Sequence, residues 1–206
     1  MLKTTKNNQL WMVTQPDHAE VAGYLAAHWG NDHFARPGHY ARAPDAERLR
    51  AEVIFAVAQH DNGWWEWEAT PDVSAAYGFP LDLSEVLKDQ QAGMNRWRNG
   101  LRRFAQSPLP NLIPSANPPS KGLGDDAFEL HDVPRQGWSD RVTIRVTPHG
   151  NGRLELDPYP FDVDPLPVVL PARVAKLPAD KPAHLQSWWN AAEPQPLHFT
   201  LCHAKS

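Results

Sequence analysis

The chain has 206 residues, of which 41% are hydrophobic and 21% are charged, and this composition excludes an intrinsically disordered protein. A single cysteine excludes an internal disulfide. No apolar run approaches the roughly 18 residues that a membrane span needs, and the sequence shows no hydrophobic leader, so we predict a cytoplasmic protein. The net charge of −4 divides evenly, with 11 basic and 13 acidic side chains up to residue 103 and 9 and 11 after it, which argues against nucleic acid or a membrane as the main partner.

The placement of proline divides the chain into a helical and a β-rich part. Five prolines lie in residues 1–103 and sixteen in residues 104–206, and proline is excluded from helix interiors because it lacks the amide proton. We therefore predict a helical part over about 15–104, a proline-rich connector over about 105–126 and a β-rich part over about 127–206.

The first predicted helix follows a short β-prone segment at 9–14 and begins near Pro16. Apolar residues recur in it at helical spacing, and Gly30 ends it. These residues are Val21, Ala22, Leu25, Ala26 and Trp29. His18 precedes the first of them by three positions, so it is predicted to lie on the same inward face.

A second helix is predicted over 45–60, with Asp45 as its capping residue. Its apolar positions follow intervals of four, and His60 continues the series at the C-terminal end. These positions are Leu49, Val53 and Val57. His60 is therefore also predicted to face inward, followed by Asp61 and a terminating Asn-Gly pair. A third helix is predicted over 83–104.

The second half of the chain has the period of β-strands. Residues 141–147 alternate strictly, a turn follows at 149–152, and Leu154 and Leu156 alternate after it, which predicts a hairpin. Residues 197–201 alternate again, and a short helix is predicted over 183–193. Because the segment at 9–14 needs a partner strand, we predict a single α+β domain in which helices interleave with a C-terminal antiparallel sheet.

The strongest chemical signal is the pair His60-Asp61 at the end of an apolar helix, together with His18 on an earlier one. Neutral imidazole and carboxylate bind Zn, Fe or Mn, and helices hold such ligands rigidly. The partial negative charge at a helix C-terminus also favours a cation there. The same pattern is equally consistent with two core histidines and an aspartate that begins a turn.

An ordered set of motifs in this sequence resembles a family of bacterial proteins called domain of unknown function 3891. The motifs are Thr14-Gln15-Pro16-Asp17-His18, Ala27-His28-Trp29-Gly30, His60-Asp61-Asn62-Gly63-Trp64, Trp67-Glu68, Gly78-Phe79-Pro80 and Leu156-Asp157-Pro158-Tyr159-Pro160-Phe161. The His-Asp doublet after an apolar helix also resembles the HD superfamily of metal-dependent phosphohydrolases. This second resemblance implies an HD-like helical bundle in the N-terminal part.

The HD resemblance implies roles for individual residues. His18, His60 and Asp61 would bind a divalent metal, and Asp61 would also take part in catalysis. The superfamily pattern includes a later aspartate on a following helix, for which Asp89 is the first candidate and Asp82 the second. No histidine lies between His60 and His131, so the further histidines that a second metal would use are missing.

Other side chains are candidates for substrate binding or proton transfer. Trp64 and Trp67 directly follow the doublet and could form the wall of a pocket or cover the core. Arg96, on the third helix, could bind a phosphate or lie on a solvated face. His28 is a candidate proton shuttle.

Three functions follow from these features. The first is a metal-dependent hydrolase that acts on a small, phosphorylated molecule through a metal-bound water. The second is an HD-like iron-dependent oxygenase. The third is a ligand-binding or structural module without catalysis.

Overall fold

The computed structural model describes residues 2–39, 44–73, 80–104, 127–176 and 192–204. These residues form a mixture of helices and strands. The strands are β1 (Leu2–Lys6), β2 (Gln9–Val13), β3 (Phe128–Gly137), β4 (Asp140–His149), β5 (Arg153–Asp157), β6 (Leu166–Leu170), β7 (Arg173–Lys176), β8 (Glu193–Pro194) and β9 (Leu197–His203). The helices are α1 (Gln15–His28), α2 (Ala46–Gln59), α3 (Trp65–Ala69), α4 (Leu83–Val86) and α5 (Gln90–Phe104), with a 3₁₀ turn at Asn62–Trp64.

The chain divides into two compact units, each assembled from three segments. The first unit contains Met1–Ala19, Gln59–Leu112 and Leu170–Pro196, and the second contains Glu20–Ala58, Ile113–Val169 and Leu197–Ser206. Each unit has its own sheet. The single-domain organisation inferred from the sequence stays a prediction.

The first unit contains a four-stranded sheet in the order β1-β2-β7-β8. The segment at 9–14, which needed a partner, forms β2 and pairs antiparallel with β7 as well as with β1. Leu10 and Met12 on β2 are fully buried with Ala175 and Ala192, and Trp67 packs against this cluster. The helix α1 follows β2 directly.

The second unit contains a five-stranded sheet in the order β3-β4-β5-β9-β6. The predicted hairpin is present as β4 and β5, and Asn151 and Gly152 in its turn have positive φ angles of 63° and 76°. The prediction of a purely antiparallel sheet is wrong, because β5 and β9 run parallel. A parallel pair needs a long crossover connection, and β6, β7 and β8 all lie between these two strands in the sequence.

The core of the second unit lies on one face of its sheet. Its buried residues come from four of the strands and from the loops beside them. They are Phe34, Ile144, Val146, Leu156, Tyr159, Phe161, Leu166, Val168 and Leu201. The predicted inward residues Val21, Leu25 and Trp29 of α1 pack against this cluster, so the helical periodicity identified the buried face of α1 correctly.

The N-terminal part differs from the predicted helical bundle. It begins with the hairpin of β1 and β2, joined by Asn7 and Asn8, whose positive φ angles of 51° and 57° are those of a tight hairpin turn. The third predicted helix is broken into α4 and α5. The described residues therefore give no support for an HD-like bundle, and the fold is a mixed α and β arrangement.

Two sequence-based predictions lie outside the described residues. These are the proline-rich connector at 105–126 and most of the helix at 183–193, whose last residue, Glu193, belongs to β8. Among the helices that the structure describes, none combines the length and the hydropathy that a membrane span requires.

Candidate metal centre

His18 lies in the first turn of α1, and the start of that helix is held by two polar contacts. The Thr14 hydroxyl accepts the backbone N–H of Asp17 at 3.2 Å and donates to the Asp17 carboxylate at 2.5 Å. Gln15, the first helical residue, donates its backbone N–H to the buried carboxylate of Glu68 at 2.8 Å. Because both contacts act within one turn of His18, they fix the backbone that carries its imidazole.

His60 and Asp61 follow the last residue of α2 and are held by the turn after them. The His60 carbonyl accepts the indole N–H of Trp97 at 3.1 Å, and the Asp61 carbonyl accepts the N–H of Trp64 at 3.0 Å. Gly63 allows this turn to approach α5, since a Cβ atom there would lie 2.5 Å from the Trp97 carbonyl oxygen. The glycine after the doublet is therefore a packing requirement.

The carboxylate of Asp61 brings the two imidazoles together. Its Oδ2 lies 3.5 Å from Nδ1 of His18 and 3.2 Å from Nε2 of His60. One ligand atom from each of the three residues lies within 4.8 Å of the others. The two rings meet edge to face with their centroids 5.7 Å apart. The predicted convergence of these three side chains is confirmed.

The electrostatics of this triad favour a cation. Burial raises the pKa of Asp61, but the facing imidazoles of His18 and His60 outweigh that effect and lower the pKa to about 2. Asp61 is therefore an anion at neutral pH. It also follows the C-terminal end of α2, where the unpaired carbonyls carry partial negative charge. The side chains of His18 and His60 are 38% and 31% exposed, so the triad is partly open to solvent.

The geometry fits a divalent transition metal. Nitrogen and oxygen ligands bind such ions at about 2.0–2.2 Å, which places neighbouring ligand atoms roughly 3–4 Å apart. Both separations at Asp61 lie in this interval, and the ligand nitrogens of the two histidines lie within 4.8 Å of each other. Nδ1 of His18 is shielded from solvent, and its contact with Oδ2 of Asp61 is long for a hydrogen bond at 3.5 Å. A metal bond would satisfy this nitrogen better.

Two buried polar residues of the first unit were not predicted. Gln15 is 1% exposed and Glu68 is 3% exposed. Burial raises the pKa of Glu68, the N–H of Gln15 lowers it in part, and the charge of Asp61 raises it further. Glu68 therefore lies within electrostatic reach of the triad. One sequence signal could have identified it, because Glu68 follows the buried Trp64 by four residues and so shares its helical face.

Asp89 and Asp82 are helix caps in this structure. The exposed Asp89 accepts the backbone N–H of Ala92 at 3.0 Å and begins α5. Asp82 accepts the N–H of Glu85 at 2.9 Å, and the Glu85 carboxylate accepts the N–H of Asp82 in return. Among the described residues, the cluster of potential metal ligands contains His18, His60 and Asp61 but neither of these aspartates.

His28 belongs to the second unit, where it has its own partners. Its Nδ1 lies 3.0 Å from the carboxylate of Asp162, and its ring packs edge to face on Tyr24 with centroids 4.8 Å apart. The triad belongs to the first unit. The proposed role of His28 in proton transfer stays a prediction.

Two of the three predicted substrate-binding residues, Trp67 and Arg96, line a cavity in the first unit. This cavity, of about 280 Å³, is lined by α3, the preceding 3₁₀ turn and α5. The lining residues are Gly63, Glu66, Trp67, Arg96 and Asn99. Trp64 is buried and meets Trp67 edge to face, with centroids 5.9 Å apart. Trp64 therefore supports Trp67 from the protein interior.

Comparison with known proteins identifies a family but no individual relative. The model of a family described as "Protein of unknown function (DUF3891)" matches residues 1–109. The match includes His18, His60 and Asp61, and it ends before the motif at 156–161. No curated protein and no solved structure matches the chain. Because the match covers more than half of the sequence, the chain belongs to the DUF3891 family of proteins of unknown function.

Proposed function

We propose that His18, His60 and Asp61 bind one divalent metal ion, either Mn, Fe or Zn, and that the protein is a metal-dependent hydrolase of a small phosphorylated molecule. The observation that carries this proposal is the convergence of two imidazoles and one carboxylate within 4.8 Å at an accessible site. The His-Asp doublet, which resembles that of HD-superfamily phosphohydrolases, supports the choice of reaction.

The chemistry of the triad suits hydrolysis. A bound divalent ion polarises a phosphoryl oxygen and lowers the pKa of a bound water, which supplies hydroxide at neutral pH. Three protein ligands leave coordination positions for water and substrate, as in catalytic metal sites. The Asp61 anion offsets part of the charge of the cation, and the capped start of α1 holds His18 opposite it.

The same ligand set supports a second candidate. Two histidines and one carboxylate, with open positions, are the ligands of Fe(II) in many oxygenases. An iron-dependent oxygenase would therefore use the same three residues. Iron content and oxygen consumption distinguish it from a hydrolase, which releases phosphate without consuming oxygen.

Elemental analysis of protein purified without chelators tests the metal site first. We expect about one Mn, Fe or Zn ion per chain. The chelator-treated protein is then titrated with each ion by calorimetry, and the loaded protein is assayed for phosphate release from p-nitrophenyl phosphate and for oxygen uptake. His60→Gln should abolish metal binding, whereas His33→Gln, a change at an exposed histidine of the second unit, should leave it intact.

Each outcome decides between the three functions. Stoichiometric metal with phosphate release supports the hydrolase, and iron with oxygen uptake supports the oxygenase. Stoichiometric metal with neither activity contradicts both enzymes and favours a binding module. Wild-type protein that neither contains nor takes up metal contradicts the metal site itself.

A further inference from the structure

Two hydrogen-bond donors at the cavity between α3 and α5 converge on one oxygen atom. Nη1 of Arg96 lies 2.8 Å from Oδ2 of Asp72, and the indole N–H of Trp67 donates to the same oxygen at 3.2 Å. Arg96 and Trp67 both line the cavity. A guanidinium and an indole N–H therefore already hold an anionic oxygen at this place.

This donor pair suits a phosphate group as well as it suits a carboxylate. Arginine forms short, charge-assisted hydrogen bonds with phosphate oxygens. The side chains of Arg96 and Asp72 are 43% and 50% exposed, so a solvated anion can reach the pair. An exposed ion pair of this kind contributes little to folding stability. A ligand phosphate can consequently replace Asp72 without unfolding the structure.

The remaining cavity residues indicate the rest of the ligand. The amide of Asn99 is a suitable partner for hydroxyl groups. Trp67 is packed against Trp64 and against the core of the first unit, so its ring forms a fixed apolar wall. The volume of about 280 Å³ lies at the small end of ligand pockets. A compact molecule with hydroxyl groups and one phosphate fits these features.

We propose that this cavity binds a phosphorylated sugar, whose phosphate takes the place of the Asp72 carboxylate between Arg96 and Trp67. Asp72 is then an internal competitor that occupies the phosphate position when no ligand is bound. The inference goes beyond the proposed function, because binding of the sugar phosphate requires only residues of α3, α5 and the segment that contains Asp72, and no residue of the triad.

Calorimetric titration of the chelator-treated protein with glucose 6-phosphate tests the proposal, with glucose and inorganic phosphate as separate probes. Arg96→Gln should weaken binding of glucose 6-phosphate by about tenfold or more, as expected for the loss of one charge-assisted hydrogen bond. Asp72→Asn should strengthen binding, because it removes the competing charge. Arg98→Gln is the matched control, since Arg98 is an exposed arginine of the same helix.

Opposite effects of the Arg96 and Asp72 changes would support the cavity as a phosphate site. The proposal would be overturned if Arg96→Gln and Arg98→Gln bound glucose 6-phosphate with equal affinity, or if Asp72→Asn bound it more weakly than the wild type. It would also be overturned if neither the wild type nor Asp72→Asn bound it. Melting temperatures verify that each variant is folded. Because these titrations contain no metal, their failure leaves the metal analysis of the triad unaffected, and loss of the metal site leaves these titrations interpretable.

Discussion

Nδ1 of His18 and Oδ2 of Asp61 lie 3.5 Å apart, although one residue belongs to the first turn of α1 and the other directly follows α2. The start of one helix and the end of another thus meet at one point. Each end is held by its own contacts, the Thr14 cap for α1 and the indole N–H of Trp97 for the end of α2. These contacts hold the two backbones that carry the triad.

Asp61→Asn should weaken metal binding by about 100-fold or more, since changes to groups that only support metal ligands already weaken it about 10- to 100-fold. The substitution keeps the shape of the side chain and removes the charge that offsets the cation. Calorimetric titration of the chelator-treated variant with Mn²⁺ or Zn²⁺ measures the effect.

Asp162→Asn is the matched control for this change. Asp162 is also paired with a histidine, His28, but it belongs to the second unit and to no cluster of three ligands among the described residues. Its substitution should leave metal affinity unchanged. Equal affinities of wild type and Asp61→Asn would show that the triad is a hydrogen-bonded cluster and not a metal centre.

The convergence of the triad could be predicted from the sequence, although only one of the two helix faces was predicted correctly. The series of Val21 and Leu25 identified the packed face of α1, whereas α2, for which the series that ends at His60 predicted an inward face, has no buried residue. The capping role of Asp45 was predicted from the preference of aspartate for the position before a helix, and its carboxylate accepts the N–H of Arg48 at 3.0 Å.

Other features depend on tertiary contacts and were missed. The hairpin of β1 and β2 forms through an Asn7-Asn8 turn, a weaker hairpin signal than Asn-Gly. The break between α4 and α5 was missed because Asp89 was considered as a ligand and not as a cap. Glu68 was missed because its burial depends on the N–H of Gln15, a residue distant in the sequence.

Asp89→Ala should lower stability without changing metal affinity. The substitution removes the cap of α5, which costs about 1 kcal/mol and corresponds to a fall of about 2–4 °C in melting temperature for a chain of this size. Asp89→Asn keeps an acceptor oxygen and should preserve most of the stability. A loss of metal binding in both variants would instead make Asp89 the fourth ligand.

Gly63→Ala should destabilise the first unit strongly. The added Cβ would lie 2.5 Å from the carbonyl oxygen of Trp97 and 2.6 Å from Cδ1 of its ring, and overpacking of this kind costs about 1–3 kcal/mol. Because Trp97 also holds the His60 carbonyl, metal affinity should fall with stability. Gly137→Ala is the control, since a Cβ there meets nothing within 4 Å. Thermal melting that leaves both variants equal to wild type would contradict this packing.

Glu68→Gln should stabilise the metal-free protein at neutral pH. Burial raises the pKa of Glu68 above its usual 4.5, so the folded protein binds this proton more tightly than the unfolded chain does. Below the usual pKa the carboxyl group is protonated in both states and burial carries no ionic penalty. As the pH rises from there through the raised pKa, ionisation increasingly favours unfolding.

The glutamine removes this pH-dependent penalty and retains an oxygen that accepts the N–H of Gln15. We therefore expect the melting temperature of Glu68→Gln to exceed that of the wild type at pH 7, and the difference to shrink as the pH is lowered to about 4. Glu20→Gln, at an exposed position of α1, should show no such pH-dependent gain. If Glu68→Gln melts below the wild type at pH 7 and the deficit disappears in acid, the ionised carboxylate stabilises the fold. Its contact with the start of α1 then outweighs the penalty of its burial.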